Sequence, residues 1–545
     1  MFINLKNNEL VVTFHYAQER VAAIRTVPGR YYHAARRRWC VPVEHAEACV
    51  EILQPLGFTA TMEVKELVKR KKAEREKRER MKYDPPAVIP FSSPLPLFPF
   101  QRQGAAFVAS GAASLLADVP GLGKTIQTMA ALTDMSRILV FAPASVKYGW
   151  EEEIHKWTPN ASVRVIDGTP EERGKGWCGK EQWVISNYEL LLRDLEFMTA
   201  QVWDAVVCDE ATRIANPHSK TARFLRAIPC RRRVALTGTP VSNSPLDLYA
   251  IIDWLSPRYF GSYTQFKERY CIVEPVWGKV VGFRNLGELA DKVEHFTFRR
   301  TKEEVMKDLP PKTTEIVSFE ISQGERKLYT DIQRQIADEM AKLDINPQTL
   351  SLFAVKMLRL KQVVDHPALL GSWESSSKEE VLKDILEPIV KSGERALVFT
   401  QFAQMAHLLV AHLAEIGYRT GLICGETETA LRMYEIEKLN GGEYDVLVMT
   451  EAGTYGLNLQ GASYVVHYDA PWSVAKLEQR EDRAHRIGQT KPVIIYHLIA
   501  RNTIDEYVAK VLHKKQAASV EILKDKERLE AAGIDADDIR EILRI

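Results

Sequence analysis

Residues 117–128, ADVPGLGKTIQT, contain a glycine-rich turn that ends in Gly-Lys-Thr. A short apolar run at Leu115 and Leu116 precedes the turn and a helix-favouring stretch follows it, so the sequence predicts a strand, a loop and a helix. The backbone N–H groups of such a loop point at a phosphate, and the helix dipole favours an anion there. Lys124 has the length to reach terminal phosphates, and Thr125 can ligate magnesium. The segment predicts a nucleotide site, although a lone Gly-Lys-Thr is also compatible with an ordinary tight turn.

A pair of acids follows another apolar run further along the chain. Asp209 and Glu210 come directly after Ala205–Cys208, about 85 residues beyond Lys124. An acid at such a strand end can hold magnesium, and its neighbour can activate water for attack on a phosphate. Alone, the pair is typical of a solvated turn, but its spacing from the glycine-rich loop favours a nucleotide triphosphatase. The hydroxyl-rich stretch LTGTP (236–240) fits a relay from this site, or a plain turn.

The second half of the chain carries two arginines at helical spacing. In residues 469–489, Pro471 suits a helix start, and Gln479, Arg483 and Arg486 fall on one helical face. Two such arginines can clamp a phosphate that develops negative charge, which is the arginine-finger role. A surface helix laced with salt bridges is the alternative, since acids lie beside them. We predict that these arginines complete the nucleotide site of the first half.

Alternating strands and helices must position these groups. Buried parallel-strand runs are predicted in RILVFAPAS, AVVCDEA and RRVALTGTP, and a second set in RALVFTQF, YDVLVMTEAG, ASYVVHYDA and VIIYHLIA. Residues 306–385 between the two sets are predicted helical and charged. The fold class is therefore α/β, with parallel-sheet lobes over 95–305 and 386–512 joined by a helical segment and with functional loops at the strand ends.

Smaller segments flank the two lobes. Residues 1–64 are predicted to form a small α+β domain, and 65–82 hold ten basic and four acidic residues, which favours a solvated helical linker. Six prolines in 84–99 indicate an extended boundary, so the linker spans 65–94. Residues 513–545 are predicted to be a helical tail.

Composition excludes several classes of protein. The 545 residues carry a net charge of +1, and the seven cysteines are scattered and never spaced as Cys-x-x-Cys, which argues against a disulfide framework or a zinc ribbon. No apolar run reaches the roughly 18 residues that a membrane span needs, and the first ten residues are polar, unlike a secretory signal. We expect a multidomain enzyme without a membrane partner, cytoplasmic in a bacterium or phage, or nuclear if eukaryotic.

The ordered blocks of this chain resemble a known family. FPFQRQGAAF, LADVPGLGKTIQT, CDEATRIAN and LTGTPVSNSPLDLYAIIDWL look like the first-lobe motifs of the SWI/SNF-related DNA-dependent ATPases of helicase superfamily two. FTFRRTKEEVMKDLPPK is similar to the segment that joins their lobes, and QREDRAHRIGQ is similar to a specific second-lobe motif. The resemblance covers about residues 95–512 and implies two RecA-like lobes.

The resemblance implies ATP and magnesium as ligands and duplex DNA as partner. Catalysis would involve Lys124, Asp209, Glu210, Gln479, Arg483 and Arg486, with Thr125 and Asp209 holding the metal. ATP would also contact Gln101 through its adenine, together with Arg102, Asp118, Gly121, Leu122, Gly123, Lys124 and Thr125. DNA would contact Ala144, Ser145, Lys147, Asn187 and Tyr188 on the first lobe and Gln401, Phe402 and Thr450 on the second, chiefly through backbone phosphates.

The chain departs from the family pattern at a few positions. The general phosphate-loop pattern has a glycine where this chain has Asp118, but the family commonly has aspartate there. Val119 and Pro120 replace a usual Glu-Met pair, and Pro120 removes one N–H from the loop. Thr212, Thr454 and Ser473 are the other departures. None removes a group that hydrolysis requires.

The first 50 or so residues look like the small domain that precedes the motor in the annealing-helicase (HARP-type) branch, which rewinds DNA and remodels forks. Tyr31 and Tyr32 interleave with the basic run Arg36, Arg37 and Arg38 and with Trp39, a mixture that suits stacking and phosphate contact at a DNA junction. The alternative is that Trp39 and one tyrosine fill the core of the small domain and the arginines are only solvated.

Three functions follow from these patterns. The leading one is an ATP-dependent double-stranded DNA translocase that reanneals or remodels branched DNA. The second is a remodeller that displaces proteins such as RNA polymerase from DNA, and the third is an ATP-gated DNA clamp with weak turnover. Protein partners stay open, with a single-strand-binding protein or RNA polymerase as candidates.

Overall fold

The structure is a computed structural model that describes residues 1–84, 91, 93–240, 245–274, 280–306, 309–340, 347–372, 374–451, 459–486, 488–513 and 529–530. The chain forms two compact units, the first ending at Val305 and the second beginning at Met306. Each is described by itself. The first unit holds the small N-terminal domain and lobe one, and the second holds lobe two.

The N-terminal domain is a five-stranded sheet covered by helices, as predicted. The sheet order is β3-β4-β2-β1-β5, with parallel pairing only between β1 and β5. Its strands are β1 (Phe2–Lys6), β2 (Glu9–Thr13), β3 (Tyr31–His33), β4 (Arg38–Pro42) and β5 (Thr59–Ala60), and its helices are α1 (Gln18–Thr26), α2 (Ala46–Leu53) and α3 (Met62–Tyr83). A core of Ile3, Leu10, Val12, Ile24 and Leu53 lies between the layers.

Helix α3 covers most of the basic segment that was predicted as a solvated helical linker. It is helical, but it begins in the core of the N-terminal domain with Val64 and Leu67 and ends against lobe one. There the Arg78 guanidinium lies 4.3 Å from the ring centre of Phe107 and donates to the Ala113 carbonyl at 2.7 Å. Burial lowers the pKa of Arg78 to about 10. The basic run therefore joins two domains rigidly, because one of its charges is buried in the second.

Lobe one is a seven-stranded, wholly parallel sheet with helices packed on it. Its order is β14-β6-β11-β10-β7-β9-β8. The strands are β6 (Ala113–Leu116), β7 (Ile138–Ala142), β8 (Val163–Val165), β9 (Trp183–Asn187), β10 (Trp203–Asp209), β11 (Cys230–Leu236) and β14 (Thr297–Phe298). All five residues of β7 are buried, as expected for a strand covered on both faces. The predicted strands β7, β10 and β11 are confirmed.

The helices of lobe one are α4 (Pro99–Ala109), α5 (Lys124–Leu132), α6 (Lys147–Trp157), α7 (Pro170–Trp177), α8 (Tyr188–Leu191), α9 (Leu195–Thr199), α10 (Lys220–Ala227), α11 (Leu246–Leu255), α12 (Tyr263–Tyr270), α13 (Leu286–Glu294) and α14 (Lys302–Val305). A small antiparallel sheet adds β12 (Cys271–Val273), β13 (Val280–Phe283) and β21 (Leu529–Glu530). Residues 85–90 of the proline-rich boundary lie outside the described residues.

The second unit is a six-stranded parallel sheet of order β15-β20-β19-β16-β18-β17. Its strands are β15 (Lys312–Phe319), β16 (Ala396–Phe399), β17 (Thr420–Ile423), β18 (Val446–Met449), β19 (Tyr464–His467) and β20 (Val493–Ala500), and its helices are α15 (Gln323–Met340), α16 (Pro347–Asp365), α17 (Ser377–Lys391), α18 (Ala403–Glu415), α19 (Thr429–Gly441) and α20 (Val474–Glu481). Two buried clusters cover opposite faces of this sheet, one with Leu409 and Val398 and the other with Leu397 and Leu439. The predicted α/β class with two parallel-sheet lobes is confirmed.

Strand β15 corrects the wholly helical prediction for 306–385. It pairs in parallel with β20 over eight residues, Lys312 to Phe319. Most of its side chains are exposed because it is an edge strand, so it lacks the buried apolar run by which strands were recognised. The helices α15, α16 and α17 follow it. Of the predicted tail 513–545, only 513 and the strand residues 529–530 lie among the described residues, and no helix among those described is both long and apolar enough to cross a membrane.

Candidate functional site

Three loops of lobe one meet at the carboxyl edge of its sheet. The glycine-rich loop follows β6, LTGTP follows β11, and Asp209 ends β10, and these three strands are adjacent. Leu236 of β11 is in register with both Leu116 of β6 and Asp209 of β10. Because the strands are parallel, the segments that follow them share one edge of the sheet. The glycine-rich loop, LTGTP and Asp209, which are far apart in sequence, therefore lie at a single site.

The glycine-rich loop has the backbone that an anion cradle needs. Gly121 and Gly123 have φ of 88° and 77°, in the left-handed region that glycine tolerates best. A Cβ on Gly123 would lie 2.7 Å from Nε2 of Gln101 and 2.9 Å from Cγ2 of Ile126. Lys124 begins α5, and its Nζ donates to the Asp118 carbonyl at 2.8 Å across the loop. A helix N-terminus with an ammonium group beside it fits a polyphosphate.

Asp118 is a buried structural anchor of the loop, and its contact with ATP stays a prediction. Its side chain is fully buried, and the Arg300 guanidinium donates to both carboxylate oxygens, with Nε 3.1 Å from Oδ1. Gln127 Nε2 also donates to Oδ2 at 3.0 Å. The carboxylate holds the base of the loop, and its backbone carbonyl is the group that faces Lys124.

Arg300 and Gln127 are site residues that the sequence prediction missed. Arg300 also donates to the Phe100 carbonyl and, at 2.9 Å, to the side-chain oxygen of Gln127. A Cβ on Gly104 would lie 1.6 Å from that oxygen, so only glycine fits beside the cluster. Both residues stand inside quoted family blocks, FTFRRTKEE and KTIQT, but nothing in their local spacing indicated a partner 182 positions away.

The unusual Pro120 packs on the LTGTP loop. A Cβ added to Gly238 would lie 2.6 Å from Cδ and 2.9 Å from Cγ of Pro120. The ring therefore fills the space that the missing side chain of Gly238 leaves. This contact joins the glycine-rich loop to the third strand-end loop of the site.

The acidic pair is held from two sides. Trp150 Nε1 donates to Oδ2 of Asp209 at 2.8 Å, and the Tyr188 hydroxyl donates to the Asp209 carbonyl at 2.6 Å. The Glu210 N–H donates to Oδ1 of Asp209 at 3.0 Å. Glu210 has a φ of 50°, a left-handed conformation that is uncommon for a residue with a side chain and that clusters at functional sites. The Trp150 and Glu210 N–H groups thus fix the orientation of the Asp209 carboxylate.

Gln101 and Arg102 lie on α4 beside the loop. Oε1 of Gln101 accepts from the Phe98 N–H at 3.0 Å, and its Nε2 donates to the Leu122 carbonyl at 3.4 Å. Gln101 is buried and Arg102 is half-buried. Gln101 links α4 to the glycine-rich loop, and its contact with adenine stays a prediction.

The predicted DNA contacts of lobe one divide into two groups. Ala144 is exposed and Ser145 is half-buried in the loop after β7, where DNA can reach them. Lys147 is buried and paired with Asp167 at 2.6 Å, and Tyr188 is buried against β10, where burial raises its pKa well above the usual value. Asn187 is buried and donates to Glu189 at 3.0 Å. The side chains of Lys147, Asn187 and Tyr188 are therefore engaged inside the lobe, and their contact with DNA stays a prediction.

The predicted DNA contacts of lobe two surround Asp469. The Gln401 N–H donates to Oδ2 of Asp469 at 2.8 Å, and Gln401 Nε2 donates to the Ala470 carbonyl at 2.5 Å. Phe402 is half-buried against the core. Thr450 is 5% exposed, and its contact with DNA stays a prediction.

The arginine motif of lobe two is not one helical face. Helix α20 begins after an N-cap at Ser473, not at Pro471, and ends at Glu481, so Arg483 and Arg486 lie in the turns that follow it. Arg483 Nε donates to the Gln479 carbonyl at 3.2 Å. The last residue of the helix, Glu481, is buried and bound to Lys312 of β15 at 2.8 Å. The role of Arg483 and Arg486 as arginine fingers stays a prediction.

A second basic region lies where the N-terminal domain meets lobe one. Trp39 is half-buried, with its ring centre 5.3 Å from that of Tyr32, and Arg36, Arg37 and Arg38 follow one another around the β3–β4 turn. Trp39 and both tyrosines line a cavity of about 630 Å³. Its arginines, however, are Arg25, Arg30, Arg226 and Arg258 rather than the predicted run.

Comparisons with known proteins agree on the family. Residues 19–369 match the SNF2-related domain, and residues 377–488 match the helicase conserved C-terminal domain. The Bacillus subtilis protein YwqA, whose name describes an ATP-dependent helicase/translocase, is 32% identical over 79% of this chain and 49% of its own length. Arabidopsis thaliana CHR23, whose name describes an ATP-dependent DNA helicase, is 30% identical over 75% of this chain and 41% of its own. The chain belongs to the family of proteins with the SNF2-related domain, and it spans half or less of the length of these curated relatives.

A solved structure of the Sulfolobus solfataricus SWI2/SNF2 ATPase core in complex with dsDNA is also similar. It is 29% identical, and the similarity covers 84% of this chain and 99% of that one with a TM-score of 0.40.

Proposed function

We propose that this chain is a DNA-dependent ATPase that uses ATP hydrolysis to move along double-stranded DNA. The carrying observation is the convergence of the glycine-rich loop, LTGTP and the Asp209–Glu210 pair on adjacent strand ends β6, β11 and β10. The names of the relatives describe ATP-dependent helicases and translocases. The geometry of the site and the names of the relatives both support ATP hydrolysis.

In the proposed site, ATP lies with its phosphates at the N-terminus of α5. Lys124 exchanges the Asp118 carbonyl, which its Nζ contacts at 2.8 Å, for a phosphate oxygen. Thr125 and Asp209 have the hydroxyl and carboxylate oxygens that magnesium prefers, and the metal would neutralise phosphate charge as the terminal group leaves. The buried Asp118–Arg300 pair keeps the loop from shifting when Lys124 moves.

Glu210 is proposed to orient the attacking water and to accept its proton. Glu210 directly follows Asp209 and has a left-handed backbone conformation. Trp150 and the Glu210 N–H hold the Asp209 carboxylate in one orientation. Because the Asp209 carboxylate is already fixed, it needs little reorientation during the reaction. Arg483 and Arg486 are proposed to stabilise the developing phosphate charge, as the family resemblance implies.

The finer proposal is that the chain reanneals or remodels branched DNA, as the annealing-helicase branch does. Its support is the N-terminal domain, which packs on lobe one and forms with it a basic, aromatic-lined cavity. Contacts with the DNA backbone give affinity without sequence preference, which suits movement along a duplex. We place this activity in the cytoplasm of a bacterium or phage, or in the nucleus of a eukaryote.

A strand-rewinding assay tests the finer proposal. A plasmid partly unwound and coated with single-strand-binding protein should be rewound by the wild-type chain with ATP, and the Lys124→Ala variant should leave it unwound. A forked duplex should be remodelled without release of separated strands. Displacement of a protein block from DNA with no rewinding and no fork remodelling would contradict it and favour the remodeller.

A further inference from the structure

The cavity between the N-terminal domain and lobe one, which we call the arginine pocket, is lined on one side by Arg25, Arg30 and Tyr32 and on the other by Arg226 and Arg258. Its volume of about 630 Å³ lies in the range of small-molecule sites, roughly 300–1,000 Å³. It is separate from the glycine-rich loop, because it lies beyond α10 and α11 at the domain junction.

The arginine pocket holds an excess of positive charge. Arg226 is paired with Asp253 at 2.6 Å. In the described part of the chain, no ion pair joins Arg25, Arg30 or Arg258 to a carboxylate. Burial, followed by the nearby charges of Arg269 and Arg25, lowers the pKa of Arg30. A bound anion would offset this repulsion.

Arg258 is held with its donors available for such an anion. Its guanidinium carbon lies 3.8 Å from the ring centre of Tyr31, so its flat face is covered. The Tyr31 hydroxyl is fixed by donation to Glu9 at 2.6 Å, and the Arg258 N–H donates to Oδ1 of Asp253 at 2.9 Å. A stacked guanidinium keeps its in-plane N–H groups, which match a phosphate in a two-point contact.

The backbone conformation at Arg258 and Gly29 brings the two walls of the arginine pocket close together. Arg258 has a φ of 63°, a left-handed conformation that costs free energy for a residue with a side chain. On the opposite wall, a Cβ on Gly29 would lie 3.0 Å from the Arg258 carbonyl, so glycine allows the two domains to approach this closely. Both features place the arginines of separate domains around one space.

An aromatic platform lies beside these arginines. Tyr32 is 50% exposed, and its ring is tilted by 60° against Trp39 with the centres 5.3 Å apart. Trp39 is half-buried and contacts the domain core, which fixes the platform. Aromatic rings beside basic groups bind nucleic-acid bases by stacking.

We propose that the arginine pocket binds one nucleotide unit, with its phosphate among Arg25, Arg30 and Arg258 and its base stacked on Tyr32. Such a unit comes either from an unpaired nucleotide of the DNA substrate or from a free mononucleotide. A base paired inside a duplex cannot stack on a protein ring, so the pocket selects for unpaired nucleotides. This inference rests on the proposed action on DNA and adds the structural feature of the DNA that is recognised.

The test compares DNA affinity with and without unpaired nucleotides, using the full chain and fluorescence anisotropy. Two probes are used, a blunt duplex and the same duplex with a few unpaired thymidines. Tyr32→Ala and Arg258→Ala should each weaken binding of the overhang probe about tenfold, in line with the loss of one stacked base or one phosphate contact. Blunt-duplex affinity should change less than about twofold, since duplex binding rests on backbone contacts elsewhere.

Matched variants keep the test specific. Arg25→Ala should act like Arg258→Ala, whereas Arg20→Ala removes the same charge from helix α1 outside the pocket and should leave both affinities unchanged. Tyr32→Trp keeps an aromatic face and should restore the overhang preference. Binding of free dTMP is measured with the same variants. If the variants weaken binding of dTMP but not of the overhang probe, the pocket binds a free nucleotide. If they weaken binding of the overhang probe but not of dTMP, which we expect, the pocket binds an unpaired nucleotide of the DNA strand.

Equal weakening of both probes, or no difference between Arg25→Ala and Arg20→Ala, would overturn the proposal. DNA-stimulated ATPase activity of the wild-type chain is measured in the same samples. If that activity is present while the overhang preference is unaffected by Tyr32→Ala, only the pocket proposal fails. If the wild-type chain shows no DNA-stimulated hydrolysis, the proposed function itself fails.

Discussion

At the scale of single residues, Arg300 joins three parts of lobe one. Its side chain binds Asp118 in the glycine-rich loop and Gln127 on α5, and its backbone carbonyl accepts from the Val119 N–H at 3.2 Å. Arg300 follows β14, the last strand of the lobe. The loop is therefore held by the segment through which the chain leaves lobe one.

Removing one partner of this buried pair should be costly. Arg300→Ala leaves the fully buried Asp118 carboxylate without its cation, and we expect the free energy of unfolding to fall by about 3–5 kcal/mol. The double variant Asp118→Asn/Arg300→Ala should lose less than the sum of the single variants, because no charge is left buried. Urea unfolding measures this cycle. Arg231→Ala breaks an exposed pair with Asp204 and should cost at most about 1 kcal/mol; equal effects of Arg231→Ala and Arg300→Ala would contradict the account.

The contact between Pro120 and Gly238 predicts that substitutions at these two positions have coupled effects on ATPase turnover. In Gly238→Ala the new Cβ would meet the Pro120 ring at 2.6 Å, so the two loops must move apart and ATPase turnover should fall by about tenfold or more. Adding Pro120→Ala removes both ring carbons of that contact and should restore most of the rate. Steady-state ATPase assays on duplex DNA measure this. Gly149→Ala has no heavy atom within 4 Å of the added methyl and should keep the wild-type rate; no rescue by Pro120→Ala would show that the contact does not matter.

Site residues were predictable from the sequence where they follow a strand at a known spacing. Lys124, Asp209 and Glu210 are of this kind. Arg300 and Gln127 were not, because the Asp118–Arg300 pair that Gln127 joins links segments 182 positions apart. Lys147 and Tyr188 were assigned to DNA from motif position alone, and only the folded lobe shows that Asp167 and the Asp209 carbonyl already bind them.

At the scale of elements, the docking of the N-terminal domain on lobe one is carried by a few buried polar contacts. His45, just before α2, lies 2.6 Å from the Tyr259 carbonyl through Nε2, and the two rings stack 4.6 Å apart. Helix α3 adds Arg78, whose Nη2 donates to Ser114 at 3.0 Å. These contacts fix the walls of the arginine pocket.

The docking should weaken in acid. Burial lowers the pKa of His45 to about 4, with Lys292 adding to the shift against the Tyr259 contact. Because the folded pKa lies below the unfolded value of about 6.5, protonation favours the unfolded state. The His45 contribution is complete above pH 6.5 and falls as the pH drops towards 4, by roughly 3 kcal/mol in all.

Thermal unfolding between pH 7.5 and 5 isolates this contribution. His45→Gln keeps a donor for Tyr259 but does not titrate, so it should lose less stability than the wild type as the pH falls. His15→Gln changes an exposed histidine and should follow the wild type. Identical pH profiles for the wild type and His45→Gln would contradict a role of His45 in the docking.

Elements were predictable when their apolar runs were buried on both faces. The runs at β7, β10 and β16 are of this kind. The edge strand β15 was taken for helix because its side chains are mostly exposed. Helix α20 was predicted too long, since the helical spacing of Gln479, Arg483 and Arg486 does not show that the helix ends at Glu481.

At the scale of the whole molecule, the chain joins a nucleotide-type site to a basic domain junction within its first unit. One edge of the lobe-one sheet presents the glycine-rich loop and the acidic pair, and the docked N-terminal domain presents the arginine pocket. The second unit contributes a parallel sheet with a buried Arg480 that donates to the Asp469 carbonyl at 2.8 Å. Composition and motif order were enough to predict this division into lobes. The domain junction was not predictable, because it depends on contacts between segments about 200 residues apart.

The central claim is that DNA switches on ATP hydrolysis at Lys124 and Glu210. The most direct measurement is the steady-state ATPase rate of the full chain without DNA, with single-stranded DNA and with duplex DNA, for the wild type, Lys124→Ala and Glu210→Gln. We predict a rate that rises at least about tenfold with duplex DNA and that both variants reduce by about a hundredfold or more. A wild-type rate that duplex DNA leaves unchanged, or a Lys124→Ala variant that hydrolyses ATP at the wild-type rate, would contradict the account.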